Sequence, residues 1–228
     1  MIRNVLFDLD DTLLDFRQAE RIALTKTLKF LKVPPTEKIL KRYSEINAAQ
    51  WKRLERGEIS REEVNVGRYR LLFQEFEIAA SPEETTAYYD RQLSIGHYFI
   101  AGAEELLLTI SPIYRIYLVT NGTEAVQRKR IQSAGLERYV DEVFISEIIG
   151  VDKPDVEFFR QCFSHIPDFS ANETVIVGDS LTSDIQGGCN VGIQSVWFNP
   201  HNLLNDTPIR PDFEIQTLQE LPKILQHL

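Results

Sequence analysis

The sequence predicts an α/β fold: a doubly wound parallel sheet with a helical domain inserted after its first strand. Short runs of aliphatic and β-branched residues alternate with segments of helical period in the second half of the chain. The first such run, however, is followed by more than a hundred residues before the second one begins. An ordinary crossover connection is far shorter, so this interval predicts an inserted domain.

The composition is that of a globular protein of 228 residues, with 43% hydrophobic and 26% charged side chains. The net charge of −9 disfavours nucleic acid and anionic membranes as partners, because both would repel such a surface. The two cysteines lack C-x-x-C spacing and predict free thiols. No apolar run approaches the ~18 residues needed to cross a bilayer. We therefore expect a cytoplasmic protein. A monomer and a homodimer are both compatible with the sequence.

Five runs are predicted as strands, and most of them end in small or polar residues. They span residues 4 to 10, 115 to 121, 142 to 146, 174 to 179 and 194 to 198. The segments with helical period cover 124 to 133, 155 to 164, 182 to 191 and 218 to 228. In a parallel α/β sheet, ligands bind beyond the carboxyl ends of the strands. The polar residues that end these runs are therefore candidates for one shared site.

The inserted segment, residues 16 to 97, is predicted to form four helices. Two cover residues 19 to 31 and 37 to 55. The third is capped by Ser60 with Glu63 three residues on, and the fourth begins at Ser81-Pro82. We therefore divide the chain into an α/β core domain, residues 1 to 15 and 98 to 228, and a helical domain, residues 16 to 97.

An acidic constellation follows the predicted strands. Asp8 and Asp10 are two residues apart, which places them on one side of an extended chain, whereas Asp11 points the other way. Three further polar elements follow later strands: Thr120-Asn121-Gly122, Lys153-Pro154-Asp155, and the segment from Gly178 to Asp184. A solvated loop would explain any one of these elements, but not all of them in this order.

Together these motifs resemble the haloacid dehalogenase-like hydrolase superfamily, in its phosphatase branch. The family's motifs are a D-x-D-x-T segment, a strand-ending Thr or Ser, a lysine, and a G-D-[ST]-x-x-x-D segment. They match, in that order, Asp8 with Asp10 and Thr12; Thr120; Lys153; and Asp179 with Ser180 and Asp184. The resemblance covers nearly the whole chain, and it implies that the helical insertion is a cap that closes over the site during turnover.

The same residues supply what phosphoryl transfer requires. The Asp8 carboxylate would attack phosphorus and form an aspartyl phosphate. Asp10 would protonate the leaving group and then take a proton from the attacking water. Because two carboxylates so close cannot easily both be ionised, we expect them to share a proton. The Thr120 hydroxyl and the Asn121 backbone N–H would face a phosphoryl oxygen, and Lys153 would offset the charge on Asp8 and the phosphate.

The acidic residues also predict a cation. Asp8 and Asp179 offer the hard oxygen ligands that Mg2+ prefers, and Mn2+ can take its place. The family pattern adds the backbone carbonyl of Asp10. Asp184 would bind metal-bound waters or Lys153 without contacting the metal itself. Ser180 belongs to the same motif and is expected to act in the same outer layer.

Within the superfamily, the chain looks most similar to the bacterial pyrimidine 5′-nucleotidases. This similarity rests on the helical frame of Asn47, Trp51, Gly57, Ile59 and Arg68-Tyr69, and on the core stretches VTNG and ISEIIGVDKPDVEFF. One departure is Asp155-Val156, where those relatives usually carry Asn-Pro. Phe16, Trp51 or Tyr69 could stack on a base, although helix-period aromatics are more often core residues. The expected substrate is thus a phosphate monoester, with a nucleoside monophosphate as the leading candidate.

Two alternatives stay open. One is a phosphatase for phosphoglycolate or a sugar phosphate, which would use the same catalytic residues. The other is a phospho-accepting signalling module, whose acidic cluster, Thr and Lys also lie on a parallel sheet. A large insertion and a second acid at Asp10 disfavour stable phosphorylation. Asp10 also argues against a dehalogenase, since halide departs without a proton.

Overall fold

The computed structural model describes residues 1–228, which divide into two compact units. One unit comprises Met1–Asp15 and Tyr98–Leu228, and the other comprises Phe16–His97. None of the helices combines the length and apolar character needed to cross a bilayer.

The first unit is built on a six-stranded parallel sheet in the order β3-β2-β1-β4-β5-β6. The central strand β1 pairs with β2 on one side and β4 on the other. In chain order the strands are β1 Asn4–Phe7, β2 Arg115–Thr120, β3 Glu142–Ile145, β4 Thr174–Gly178, β5 Gln194–Phe198 and β6 Phe213–Ile215. The carboxyl ends of β1, β2 and β4 are therefore neighbours.

Helices cover both faces of this sheet, as a parallel sheet requires. Val5 and Phe7 of β1 pack into one apolar cluster, whereas Leu6 faces a second cluster around Phe158 and Phe159. The helices of this unit are α5 Ala103–Ile110, α6 Glu124–Ala134, α7 Ser146–Ile149, α8 Val156–His165, α9 Gln186–Val191 and α10 Leu221–His227. The predicted doubly wound α/β fold is confirmed.

Several element boundaries differ from the sequence-based predictions. The first strand ends at Phe7 rather than at residue 10, because the chain turns there and Asp11 adopts a positive φ of 57°. The predicted helix over 182 to 191 begins as a π-helical turn, Leu181–Ile185, and that over 218 to 228 as a 3-10 turn, Leu218–Glu220. Strand β6 and helices α5 and α7 were not predicted; β6 and α7, with three and four residues, are too short to show a clear period.

The second unit contains four helices, as predicted. They are α1 Phe16–Phe30, α2 Glu37–Glu55, α3 Arg61–Phe76 and α4 Pro82–Leu93. Ser60 and Glu63 form the reciprocal capping box predicted for α3. At the start of α4, the Ser81 side chain accepts a hydrogen bond from the Glu84 N–H.

The interior of this helical unit explains much of the residue frame noted in the sequence. Arg68 is buried and its guanidinium lies 4.9 Å from the Tyr89 ring centroid. It also donates a 3.0 Å hydrogen bond to Asn47 Oδ1, while Asn47 Nδ2 donates to Glu20. Tyr69 is fully buried, with its hydroxyl 3.0 Å from that of Tyr43. Tyr69 is thus a core residue rather than an exposed stacking platform.

Candidate active site

The predicted site residues follow adjacent strands of the parallel sheet. Asp8 comes directly after β1, Thr120 is the last residue of β2, and Asp179 comes directly after β4. Since β1 lies between β2 and β4, the three residues meet at one edge of the sheet. Local sequence explains the arrangement, because Asp8, Thr120 and Asp179 are each the first polar residue after the apolar run of their strand.

Lys153 is the centre of the polar network at this edge. Its ammonium donates to Asp8 Oδ1 at 2.6 Å, to Asp184 Oδ1 at 2.7 Å and to the Val119 carbonyl at 2.7 Å. A lysine has three hydrogens to donate, and these three acceptors use all of them. Lys153 therefore orients Asp8, and its expected role in binding the substrate phosphate stays a prediction.

Charge and burial set the protonation of this lysine. Its side chain is 1% exposed. Burial alone would lower the pKa of Lys153, but the charges of Asp184 and Asp8 outweigh it and hold the pKa above its ordinary value. The lysine is therefore a fixed positive charge between the two carboxylates.

Asp184 is held by the turn that follows β4. Its second oxygen, Oδ2, accepts a 3.1 Å hydrogen bond from the Ser180 backbone N–H. The Ser180 hydroxyl in turn accepts from the Ser183 N–H and caps this turn. A β-carbon at Gly178 would lie 2.6 Å from Asp184 Cβ, so only glycine leaves room for the aspartate. Ser180 and Asp184 thus lie in one network, with Asp184 bound to Lys153.

Asp179 is positioned through its backbone. Its N–H donates to Thr12 Oγ1 at 3.1 Å, which ties the turn after β4 to the segment after β1. Its carbonyl accepts a 2.9 Å hydrogen bond from Trp197 Nε1 on β5. Trp197 was not among the predicted site residues. The only signal in the sequence was an aromatic residue with one polar atom near a strand end.

One carboxylate oxygen from each of Asp8, Asp179 and Asp184 lies within 4.8 Å of the others. Burial, against the opposing charge of Lys153, raises the pKa of Asp8 to about 7. Burial and the charges of Asp8 and Asp184 likewise hold the pKa of Asp179 well above its ordinary value. One lysine cannot neutralise the negative charge of three carboxylates, and carboxylate oxygens are hard ligands that suit Mg2+. The residues therefore fit a divalent cation.

Asp10 points to a different pair of groups, both on α6. Its Oδ2 accepts a 2.7 Å hydrogen bond from Gln127 Nε2, and its Oδ1 is paired with Arg130 Nη1. Each carboxylate thus has its own cation, Lys153 for Asp8 and Arg130 for Asp10. The expectation that Asp8 and Asp10 share a proton stays a prediction.

Thr120 and Asn121 complete this edge of the sheet. The Thr120 hydroxyl accepts a 2.9 Å hydrogen bond from Gln127 Nε2. It does not cap α6, whose N-cap residue is Thr123. Asn121 pairs its side-chain amide with the backbone of Lys153, donating to the carbonyl at 2.9 Å and accepting from the N–H at 2.8 Å. Asn121 thus joins the loop after β2 to the loop that carries the lysine.

Comparison with known proteins supplies the family. A model of the haloacid dehalogenase-like hydrolases matches residues 5–198. The chain is 40% identical to the pyrimidine 5′-nucleotidase PynA of Streptococcus pneumoniae over 218 residues, covering 95% of this chain and 92% of the relative. It is 27% identical to the pyrimidine 5′-nucleotidase YjjG of Escherichia coli over 224 residues, covering 97% and 96%.

A solved structure is also similar. The HAD-hydrolase YfnB of Bacillus subtilis is 39% identical over 223 residues, covering 98% of this chain and 95% of the relative. The crystal structure of YfnB bound to magnesium matches this fold with a TM-score of 0.94 and covers 98% of each chain. That structure is described as revealing interdomain movement in YfnB.

Proposed function

The chain belongs to the haloacid dehalogenase-like hydrolase family, as its motifs predict, and on that premise we propose that it is a Mg2+-dependent phosphomonoesterase acting on nucleoside monophosphates. The observation that carries the proposal is the pair of acids after the central strand. Asp8 is held by Lys153, while Asp10, two residues on, is held by α6. In the proposed reaction, Asp8 attacks and Asp10 transfers protons.

Asp8 is the nucleophile of the proposed reaction. Its Oδ1 accepts a 2.6 Å hydrogen bond from Lys153, and its second oxygen is the proposed attacking atom. That oxygen would attack phosphorus and form an aspartyl phosphate, which divides one difficult hydrolysis into two steps. Lys153 keeps a positive charge beside the carboxylate throughout.

Asp10 is the proposed acid and base. It would give a proton to the departing alkoxide and then take one from the water that hydrolyses the aspartyl phosphate. Its side chain is 29% exposed, so that water and a leaving group can reach it. The Thr120 hydroxyl and the Asn121 backbone N–H would donate to phosphoryl oxygens.

Mg2+ would be held by Asp8, Asp179 and the backbone carbonyl of Asp10. When bound, it would neutralise charge on the phosphoryl oxygens and on the carboxylates. Asp184 would stay with Lys153 and Ser180, both of which it already binds. This assignment is supported by the convergence of the carboxylates and by the magnesium in YfnB.

The relatives support the proposed substrate class. PynA and YjjG are both pyrimidine 5′-nucleotidases, and PynA is 40% identical along nearly the whole chain. We assign this chain the same kind of substrate, with the helical unit Phe16–His97 as the cap and the remainder as the catalytic core. Two findings support this assignment. The chain divides into two compact units, and its alignments with PynA and YjjG cover more than nine-tenths of each protein.

A phosphate-release screen with Mg2+ tests the proposal. The panel should hold UMP, dUMP and dTMP together with phosphoglycolate and sugar phosphates, each measured with and without a chelator. We expect Mg2+-dependent release that is fastest from the pyrimidine nucleotides. A preference for sugar phosphates would refute the nucleotidase assignment, and a long-lived phosphoprotein without turnover would refute the phosphatase itself.

Two substitutions test the mechanism. Asp8→Asn should abolish turnover, because the amide is not a nucleophile in this step. Thr120→Ala should leave measurable activity, reduced roughly 10²- to 10³-fold, as for the loss of one preorganised donor. Both are read as kcat on the best nucleotide, with Asp206→Asn as a control on the exposed surface. Turnover by Asp8→Asn would exclude Asp8 as the nucleophile.

A further inference from the structure

Helix α6 carries two side chains that none of the sequence motifs includes. Gln127 and Arg130 are 2% and 0% exposed, although their residue types are mostly found at protein surfaces. They are three residues apart and therefore lie on the same face of the helix. A fully buried guanidinium is costly unless it is paired, and here Asp10 pairs with it. The burial of Gln127 and Arg130 therefore needs a reason other than apolar packing.

The two side chains form one hydrogen-bonded unit. Arg130 Nη1 donates to Gln127 Oε1 at 2.9 Å and also to Asp10 Oδ1. Gln127 Nε2 donates to Asp10 Oδ2 at 2.7 Å and to Thr120 Oγ1 at 2.9 Å. Both oxygens of Asp10 are thus held from α6, and the same amide group reaches Thr120.

The orientation of the Gln127 amide is dictated by its neighbours. With the amide reversed, its oxygen would face the Asp10 carboxylate and its NH2 group would face the Arg130 guanidinium. Both contacts would be repulsive, so the observed orientation is the favourable one. It has a consequence for Thr120: a hydroxyl that accepts from Gln127 keeps its own hydrogen for a different acceptor. A phosphoryl oxygen is such an acceptor.

Exposure supports the same interpretation. The Asp10 side chain is 29% exposed, whereas the Arg130 side chain behind it is 0% exposed. The carboxylate is therefore anchored from the interior and accessible from the other side. Gly122 contributes as well, because a β-carbon at that position would lie 2.5 Å from Gln127 Cδ. The glycine after Asn121 thus leaves the space that Gln127 occupies.

We infer that Gln127 and Arg130 are positioning residues, which hold the Asp10 carboxylate for proton transfer and turn the Thr120 hydroxyl towards the substrate phosphate. The inference rests on the proposed function, since it concerns how that site is assembled. It assigns a role in catalysis to a helix whose sequence carries none of the four motifs. Neither residue touches the reacting atoms in this scheme.

The test compares two leaving groups. A nucleotide releases an alkoxide that needs the proton from Asp10, whereas p-nitrophenyl phosphate releases a stabilised phenolate that does not. The variants are Gln127→Met, which removes both amide donors at similar length, and Arg130→Lys, which keeps the charge but loses the fork of donors. The control is Arg128→Met on the same helix, whose exposed side chain pairs with Glu124.

We expect both variants to lose about 10²-fold or more in kcat on the nucleotide, in the range of general acid catalysis. The first turnover of p-nitrophenyl phosphate, followed by stopped flow, should fall by less than about tenfold and appear as a burst, because the later attack by water still needs Asp10. Arg128→Met should match the unmodified protein. Thermal unfolding of each variant shows whether it is folded. If either variant is unfolded, Gly122→Ala takes its place in the comparison, because the added β-carbon displaces the Gln127 side chain without replacing the residue.

Equal losses on the two substrates in the first turnover would overturn the inference, since a merely structural role does not distinguish leaving groups. Unchanged nucleotide turnover in both variants would overturn it as well. Phosphate release by the unmodified protein distinguishes a failure of this inference from a failure of the proposed function. If it releases no phosphate from any monoester with Mg2+, the proposed function is wrong, and the inference falls with it.

Discussion

Among single residues, the buried acids have the largest consequences. Asp8 and Asp179 have pKa values raised chiefly by burial, so that they bind protons more readily in the folded chain than in the unfolded one. Such a group stabilises the fold fully below its unfolded pKa of 3.8, and this contribution is lost as the pH rises through the folded value, about 7 for Asp8. A divalent cation would replace the lost protons as the compensating charge.

This balance predicts how stability responds to pH and Mg2+. With a chelator present, the Tm should fall between pH 5 and pH 8, and Asp179→Asn should lessen the fall because it removes one buried charge. Mg2+ at about 100 times its Kd should stabilise the unmodified protein by ~2.7 kcal/mol. That corresponds to about 5–10 °C in Tm for a chain of this size.

Differential scanning fluorimetry measures both effects. Asp179→Asn should lose most of the Mg2+ shift, whereas Asp206→Asn, an exposed acid outside the site, should keep it. A Tm that does not change with Mg2+ at pH 8 would contradict the assignment of these carboxylates as metal ligands.

Among helices and strands, the same short motif led to two different structures. Ser60 and Glu63 form both hydrogen bonds of a capping box at the start of α3. Ser170 and Glu173 have the same spacing, yet Ser170 precedes and Glu173 ends a single 3-10 turn before β4, and the Ser170 side chain makes no cap. Whether the following residues continue as a helix or enter the sheet decides the outcome.

This difference gives a matched pair of substitutions. Ser60→Ala should lower the free energy of unfolding by ~1 kcal/mol, because an N–H at the start of α3 loses its acceptor. Ser170→Ala should change it by no more than a few tenths of a kcal/mol. Urea unfolding measures both, and equal effects of the two substitutions would show that the capping box is not what stabilises α3.

For the whole molecule, the first unit contains a complete sheet and its own core. Both apolar clusters that cover the sheet draw their residues from Met1–Asp15 and Tyr98–Leu228 alone. The two chain ends at the insertion are adjacent: Asp15 N–H donates to the Tyr98 carbonyl at 2.7 Å, and Leu14 pairs with Phe99 in an antiparallel bridge. A short linker can therefore join Asp15 to Tyr98 with little change in the backbone of the first unit.

We therefore expect the first unit to fold without the second. A chain in which a short Gly-Ser linker replaces Phe16–His97 should unfold cooperatively and should keep the Mg2+-dependent rise in Tm. Circular dichroism during heating, with and without Mg2+, checks both. Loss of cooperative unfolding would show that the inserted helices are required for the core to form.

The sequence determined much of this architecture by itself. Strand order along the chain, the four inserted helices and the motif residues from Asp8 to Asp184 follow from local apolar periods and from short spacings. These signals suffice because most of the predicted strands are largely buried, and most motif residues end a strand, follow it directly or lie in the turn beyond it. Lys153 is the exception, since the short helix α7 separates it from β3. Elements as short as β6 and α7 lack enough residues to show a period.

Only the tertiary structure decided which side chains meet. Lys153 binds Asp8 across 145 positions, and Gln127 reaches Asp10 across 117. Nothing in the local spacing of α6 distinguishes its buried Gln127 and Arg130 from its exposed Arg128, because the contrast arises only when the helix packs against the sheet. A side chain's partner depends on where the fold places its neighbours, and that placement is a property of the whole packed unit.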